Sequence, residues 1–397
     1  MVNMTWSPPG VELSREAICK ENQAVKAKKR RNHSGLSRRT FLKAAAVSAG
    51  AFALPSVFTP RRLEAFEPGQ SVHPNISPLR VVGIEDANMT TEPRTRINWN
   101  DQEQLVRADV IATNMDRLAC ALAEEKKVRD AWQKIFIKPP DKAWSDVVVA
   151  IKTNHIAQQH TRSPVMAKLC HALTDELGVR GSNVHIYDAT NGGNLAQSTP
   201  FKGLPEGVRI ENTWGGHNTP VPVPGPWRDG KGTANCVGPL ARGEVDILVN
   251  IALCKGHNAP FGAFTMCLKN HFGTFAPGCN LADATDYLLC INKSEAILGK
   301  TDAASGRVLF PRQQLCLIDA LWASQPGPGG HPETQPNRLF MGTFGPTLDY
   351  VVATAYRRDT MKWQIQEQVT ARFLTEYGFS PDDLLPERFV DAMRYTA

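Results

Sequence analysis

From Arg80 onward the chain alternates two hydrophobic rhythms. Short runs of β-branched and aliphatic residues predict strands at Arg80-Val81-Val82-Gly83-Ile84, Asp146 to Ile151 (DVVVAI), Val184-His185-Ile186-Tyr187, Asp246 to Leu253 (DILVNIAL) and Leu315-Cys316-Leu317-Ile318. The 146–151 and 246–253 runs are almost continuously apolar, as strands covered on both faces must be. Between the strands the apolar positions recur at helical spacing. Val106, Val110, Leu118, Leu122 and Val128 predict a mostly helical stretch over 103–136. Ser163-Pro164 offers a capping residue and a first-turn proline. Val165, Leu169, Leu173 and Leu177 then form a buried stripe, and Gly178 ends the helix. Further helices are expected near 261–270, 281–298 and 348–357.

Strands separated by helices imply an α/β fold, a largely parallel sheet with helices on both faces. One α/β domain is expected over 80–397. Within it, residues 191–240 break the rhythm with Gly, Pro, Asn and Trp, and read as a long irregular insertion that could serve as a lid. Residues 59–79, rich in proline, read as a tether, and no internal repeat is present.

The first 58 residues follow neither rhythm. Residues 1–36 are polar and basic, the composition of a disordered leader. Ser37-Arg38-Arg39-Thr40-Phe41-Leu42-Lys43 and the apolar run Ala44 to Phe58 match a twin-arginine export signal over 37–58. The run is about fifteen residues, short of the roughly 20 that span a bilayer, so no permanent membrane span is expected. Ala51-Phe52-Ala53 offers a small-x-small cleavage site, and no cysteine follows to carry a lipid. The signal implies the twin-arginine translocase as a partner during export, and a periplasmic or extracellular location afterwards. Such signals resemble those of proteins exported already folded, often with a cofactor in place, which makes a metal ion or redox group an open expectation.

Charge changes its meaning once the leader is set apart. Ten of the 45 lysines and arginines, but three of the 39 acids, fall before residue 44, leaving 35 against 36 beyond it. The basicity is therefore a targeting feature, and no nucleic-acid partner is implied. The nine cysteines form no CxxC pair, so a ferredoxin-type cluster motif is absent. Cys170, Cys254, Cys267, Cys290 and Cys316 sit in apolar runs and read as buried thiols. Cys236 and Cys279 lie in Gly/Pro-rich stretches and are the candidates for a disulfide or metal ligation.

Polar residues gather just after the predicted strands. Lys152 and Asn154 follow 146–151, Asp188 follows 184–187, Lys255 and His257 follow 246–253, and Asp319 follows 315–318. Ligands of open α/β sheets bind beyond the carboxyl ends of the strands, so these residues predict a shared site. Lys152-Thr153-Asn154, Asp188, Lys255-Gly256-His257, Lys269-Asn270-His271-Phe272-Gly273, Asp319 and Asp349 resemble the ordered landmarks of the domain of unknown function 362 family, over roughly residues 145–356. Thr153 stands where that family usually has proline, and the cysteine-rich ferredoxin segment of some members is missing.

Chemically, Lys152, Lys255 and Lys269 suit a carboxylate or phosphate, which Asn154 and Asn270 would orient beside Asp188. His257 is the expected proton carrier, with Lys255 and with Asp319 or Asp349 as its partner or second base. His257, His271 and Asp319 are the metal candidates, although no H-x-x-x-H or H-E-x-x-H spacing supports them. G-x-S-x-G, P-loop and G-x-G-x-x-G motifs are absent, and Gly327-Pro328-Gly329-Gly330 reads as a turn cluster. Two functions fit: an exported enzyme or cofactor-handling protein acting on a small anionic ligand, or a non-catalytic periplasmic protein that binds an anion or a metal.

Overall fold

In the computed structural model the predicted strands join one eight-stranded sheet. The structure describes residues 69–156, 158–189, 195–386 and 388–390. The expected leader and export signal lie outside the described residues. In chain order the sheet strands are β1 (Val81–Glu85), β2 (Val149–Lys152), β3 (Val184–Tyr187), β4 (Arg209–Glu211), β5 (Ile247–Leu253), β6 (Gln313–Ala320), β7 (Arg338–Gly342) and β8 (Arg388–Phe389). Their spatial order is β8-β1-β7-β6-β5-β2-β3-β4. The block β6-β5-β2-β3-β4 is parallel throughout. On its other side β7 runs antiparallel to both β6 and β1, and β1 pairs in parallel with β8. The sheet is thus mixed but mostly parallel.

Alternation along the strands builds two cores. Val149, Ile151, Val249, Ile251, Leu315 and Leu317 face one layer, and Ala150, Leu248, Ala252, Cys316 and Ile318 face the other. The first layer is covered by α1 (Trp99–Leu105), α2 (Ala108–Ala123), α3 (Val128–Ile135) and α4 (Ser163–His171). The second is covered by α5 (Cys267–Asn270), α6 (Ala284–Lys293), α7 (Gly345–Val351) and α8 (Glu367–Thr375). Among the described residues no helix is long and apolar enough to cross a membrane.

Several local expectations are corrected. The 103–136 helix is three helices, because Val106 is extended and bridges Thr90, and Glu124 ends α2 in the left-handed conformation at φ +56°. Ser163 is the first helical residue and not the cap; the amides of the cap residue Arg162 and of Ser163 are held by Asp319 Oδ2 and Glu103 Oε1. The helix expected over 261–270 is a turn stopped by Gly262 at φ +85°, a two-residue strand Phe264–Thr265 paired with Lys255–Gly256, and then α5. Tertiary hydrogen bonding overrides local propensity at each place. The 191–240 segment is not wholly irregular, since it supplies β4 and the hairpin His217–Pro222/Thr233–Val237. At the end of the expected tether, Val72, His73 and Ile76 are buried, and His73 Nε2 lies 2.8 Å from the Ile135 carbonyl. Cys236 and Cys279 are unpaired thiols, as are the other cysteines described, and Cys236 is buried within a strand.

Candidate functional site

Because β2, β3, β5 and β6 are parallel, their carboxyl ends lie along one edge, and register fixes who meets whom. Lys152 stands opposite Tyr187 on one side and Asn250 on the other, while Asp319 stands opposite Leu253. The chain leaves β3 at Tyr187, and the next residue, Asp188, turns onto Lys152. Lys152 Nζ lies 2.5 Å from Asp188 Oδ1, 2.7 Å from the Thr153 carbonyl and 3.0 Å from Asn270 Oδ1. Asp188 also accepts the amides of His155 at 2.5 Å and Ala189 at 2.7 Å. Both charged groups are buried, and a buried pair held by this many hydrogen bonds is a positioned element, not a surface contact.

Asn270 ties this pair to the strands behind it. Its Oδ1 accepts from Asn154 Nδ2 at 2.9 Å, and its Nδ2 donates to Asn250 Oδ1 at 2.8 Å and the Ile251 carbonyl at 3.1 Å. Gly273 closes the other side: a Cβ there would lie 2.4 Å from Asp188 Oδ1 and 2.6 Å from Lys152 Nζ. From the insertion, His217 Nε2 reaches within 3.0 Å of the Gly273 carbonyl.

Lys255 and His257 rise from the end of β5. The glycine between them is required, because a Cβ on Gly256 would sit 1.7 Å from the Gln325 carbonyl oxygen. The expected turn cluster therefore lies backbone-to-backbone against the K-x-H segment. Lys255 is fully buried, and among the described residues its Nζ has one hydrogen bond, a 3.5 Å contact to the Gln159 carbonyl. Burial first, and then the cations of Lys152, Arg162 and Lys269, bring it down to about 7 against the pull of Asp188. Lys269 makes no hydrogen bond or ion pair among the described residues. Its ammonium lies 3.9 Å from the Phe272 ring centroid and 4.7 Å from that of Phe261. Burial and Lys152 lower it to about 8. His257 packs edge-on against Phe261, and its Nδ1 accepts the Asn258 amide at 2.7 Å. Burial, Lys269 and Lys255 hold its imidazole down to about 3, so it stays neutral at neutral pH and Lys255 titrates there instead.

Three expected site residues stand behind this group as braces. Asp319 is buried, accepts the Arg162 and Leu321 amides, and lies 3.5 Å from the Arg162 guanidinium. Asp349 spends its oxygens on the Cys267 and Leu268 amides at 2.7 and 2.8 Å, capping α5 and so fixing where Lys269 and Asn270 stand. His271 is buried, with Nε2 2.7 Å from Gln313 Oε1 and Nδ1 3.0 Å from Thr274 Oγ1, so both ring nitrogens are engaged. The described residues contain no group of three His, Cys, Asp or Glu arranged to hold a metal ion, so the His257, His271 and Asp319 set does not come together.

Sequence reasoning passed over several members of the site. Asn250 was visible as the one amide inside the apolar DILVNIAL run, and Phe261 and Phe272 flank Lys269 without a polar signature. Arg162 and His155 gave no signal beyond lying near the same loop; His155 sits over Asp188 through its own backbone amide. A separate cleft of about 860 Å³ opens near Val245, Asp246 and Arg312, the residues that precede β5 and β6. It therefore lies toward the opposite edge of the sheet, and none of the candidate residues lines it.

The family model described as Domain of unknown function (DUF362) matches residues 149–354, just over half of the 397-residue chain. Neither the curated proteins nor the solved structures contain a match to this chain. The matched span runs from β2 into the helical segment after α7, and holds every lysine, amide and histidine of the edge described above.

Proposed function

The chain belongs to the family described as Domain of unknown function (DUF362), and from its site we propose an exported protein that binds a small anionic molecule at the carboxyl edge of its sheet and acts on it as an enzyme or cofactor-handling protein. One observation carries this reading: fully buried Lys255 and half-buried Lys269 have neighbouring ammonium groups with no carboxylate of their own. A buried cation without a counter-ion is costly, and a bound anion removes that cost. In this reading Lys255, near 7, is the group that gives or takes a proton at neutral pH. His257 and Asn154 orient the ligand as neutral groups, and Lys152 with Asp188 fixes the floor.

The non-catalytic alternative draws on a different observation. The carboxylates best suited to act as bases, Asp319 and Asp349, both spend their oxygens on backbone amides. A melting-shift screen over small carboxylates and phosphates tests binding first. At least one should raise the melting temperature saturably, and Lys255→Met should remove the response while the variant stays folded. A flat screen, or a response indifferent to Lys255, would count against the site. Turnover of the responding compound then separates enzyme from binding protein. Export is proposed on Arg38 and Arg39: changing both to Lys should retain the precursor in the cytoplasm, and undiminished mature protein in the periplasm would refute it.

A further inference from the structure

The insertion brings a serine onto a histidine beside the lysine group. The chain after Lys152 forms a small hairpin, His155–Ile156 against Gln159–His160, whose register sets His155 opposite His160. Their ring centroids lie 4.1 Å apart, and His160 is backed in turn by Trp99 at 5.4 Å. Asp188 Oδ2 holds the His155 amide at 2.5 Å, so backbone and ring are both fixed. Over this stack the insertion makes one helical turn, Leu195–Ser198. Ser198 Oγ lies 2.8 Å from His155 Nε2, and Thr199 Oγ1 lies 2.9 Å from His160 Nδ1. The Thr199–His160 pair is buried and anchors the turn. In the other pair Ser198 is exposed and His155 half-buried, within reach of a molecule arriving from solvent.

We propose that Ser198 and His155 are a nucleophile and its general base, and that they hydrolyse a carboxylic ester whose anionic group is held by the lysines. The inference rests on the anion-site reading above and adds a reaction to it. A serine hydroxyl becomes a nucleophile when a neutral imidazole nitrogen stands ready to take its proton. The backbone group bonded to the His155 ring is its own carbonyl, which only Nδ1 can reach. Nδ1 therefore carries the proton, and Nε2 turns its lone pair to Ser198. Burial holds the ring below its ordinary value against the pull of Asp188, with Lys255 and Lys152 adding to the effect of burial, so it is uncharged at neutral pH. The same two ammonium groups set the pair beside the anion site and put positive charge near a forming oxyanion. In the first step Ser198 Oγ bonds to the ester's carbonyl carbon while its proton passes to His155 Nε2. The carbon–oxygen bond to the alcohol then breaks, and the alcohol leaves with that proton. Water attacks the acyl carbon and gives a proton to the same nitrogen; the acid departs as Ser198 takes that proton back.

A fluorophosphonate, which phosphonylates an activated serine whatever its substrate, tests the pair apart from the lysines. Mass spectrometry of the labelled protein should place the adduct on Ser198. Ser198→Ala should not be labelled, and His155→Gln should be labelled at least about 100-fold more slowly. The unaltered protein should also hydrolyse p-nitrophenyl hydrogen succinate, an anionic ester, with kcat/KM at least about tenfold above that for neutral p-nitrophenyl acetate. Ser198→Ala should lose the turnover of both. No adduct on Ser198, or one that forms as fast in His155→Gln, would overturn the pair and leave anion binding to the melting screen. Labelling of Ser198 without preference for the anionic ester would overturn the assigned substrate and count against the anion site. Ser198 is exposed, so its replacement leaves the core intact. Should His155→Gln fail to fold, the labelled residue and the ester preference of the unaltered protein still decide the proposal.

Discussion

Replacing Lys255 by Met should stabilise the ligand-free protein, although it removes a residue from the centre of the site. The ammonium is fully buried, and its one hydrogen bond is long. A fall in its pKa from 10.5 to about 7 corresponds, at about 1.36 kcal/mol per pKa unit, to a cost of roughly 4–5 kcal/mol when the residue must fold at neutral pH. Met keeps the apolar stem and its packing, so about 2–4 kcal/mol of that cost should be recovered. The sign of the pH dependence follows. Because the native pKa lies below the unfolded one, the native state holds fewer protons between about 7 and 10.5. Wild-type stability should therefore rise with pH across that window, with the penalty complete below it. In Lys255→Met the part of that slope owed to Lys255 disappears, and what Lys269 contributes between about 8 and 10.5 is left. Lys152→Met is the control with the opposite sign. Lys152 is bonded to Asp188, and removing it strands a buried carboxylate, at a cost of about 3–5 kcal/mol. Urea unfolding of the three proteins at pH 7 and pH 9, without ligand, reads all of this. A Lys255→Met variant less stable than wild type at pH 7, or a wild-type stability that falls from pH 7 to pH 9, would refute the reasoning.

Two further predictions test the frame of the site. Gly273→Ala puts a methyl group 2.4 Å from Asp188 Oδ1, so it should cost about 1–3 kcal/mol and abolish anion-dependent melting shifts; a variant with normal shifts would show that the Lys152–Asp188 pair can move. Cys170, Cys254 and Cys316 are buried, and burial raises the Cys170 and Cys254 thiols, so all three should resist a thiol reagent until the protein unfolds. Rapid labelling of any of them in native protein would contradict the core described here.

The parallel half of the sheet was legible because its strands are buried on both faces and write themselves as apolar runs: β2, β3, β5 and β6 lie where the hydrophobic pattern puts them. The common edge followed from topology alone, and with it Lys152, Asp188 and Lys255. What was not legible depends on contacts distant in sequence. β7 is short and takes its direction from β1 and β6, which no local pattern encodes. Asp349 reads as a partner of His257 or a second base, but in the structure it caps the Cys267 amide, 82 residues away in sequence. His257 reads as the neutral-pH proton carrier from its ordinary pKa, but two ammonium groups and burial displace that role onto Lys255. Position along the chain predicts which residues gather; only packing predicts which of them stay charged.

The central claim is that an anion sits between Lys255 and Lys269, and selenate tests it directly, because its anomalous scattering marks its position without assumptions about the ligand. Crystals of the protein soaked in selenate should give an anomalous selenium peak about 4 Å from both ammonium nitrogens, an N–H···O contact plus the Se–O bond away, beside His257. Anomalous peaks confined to surface arginines, with none between the two lysines, would contradict the claim.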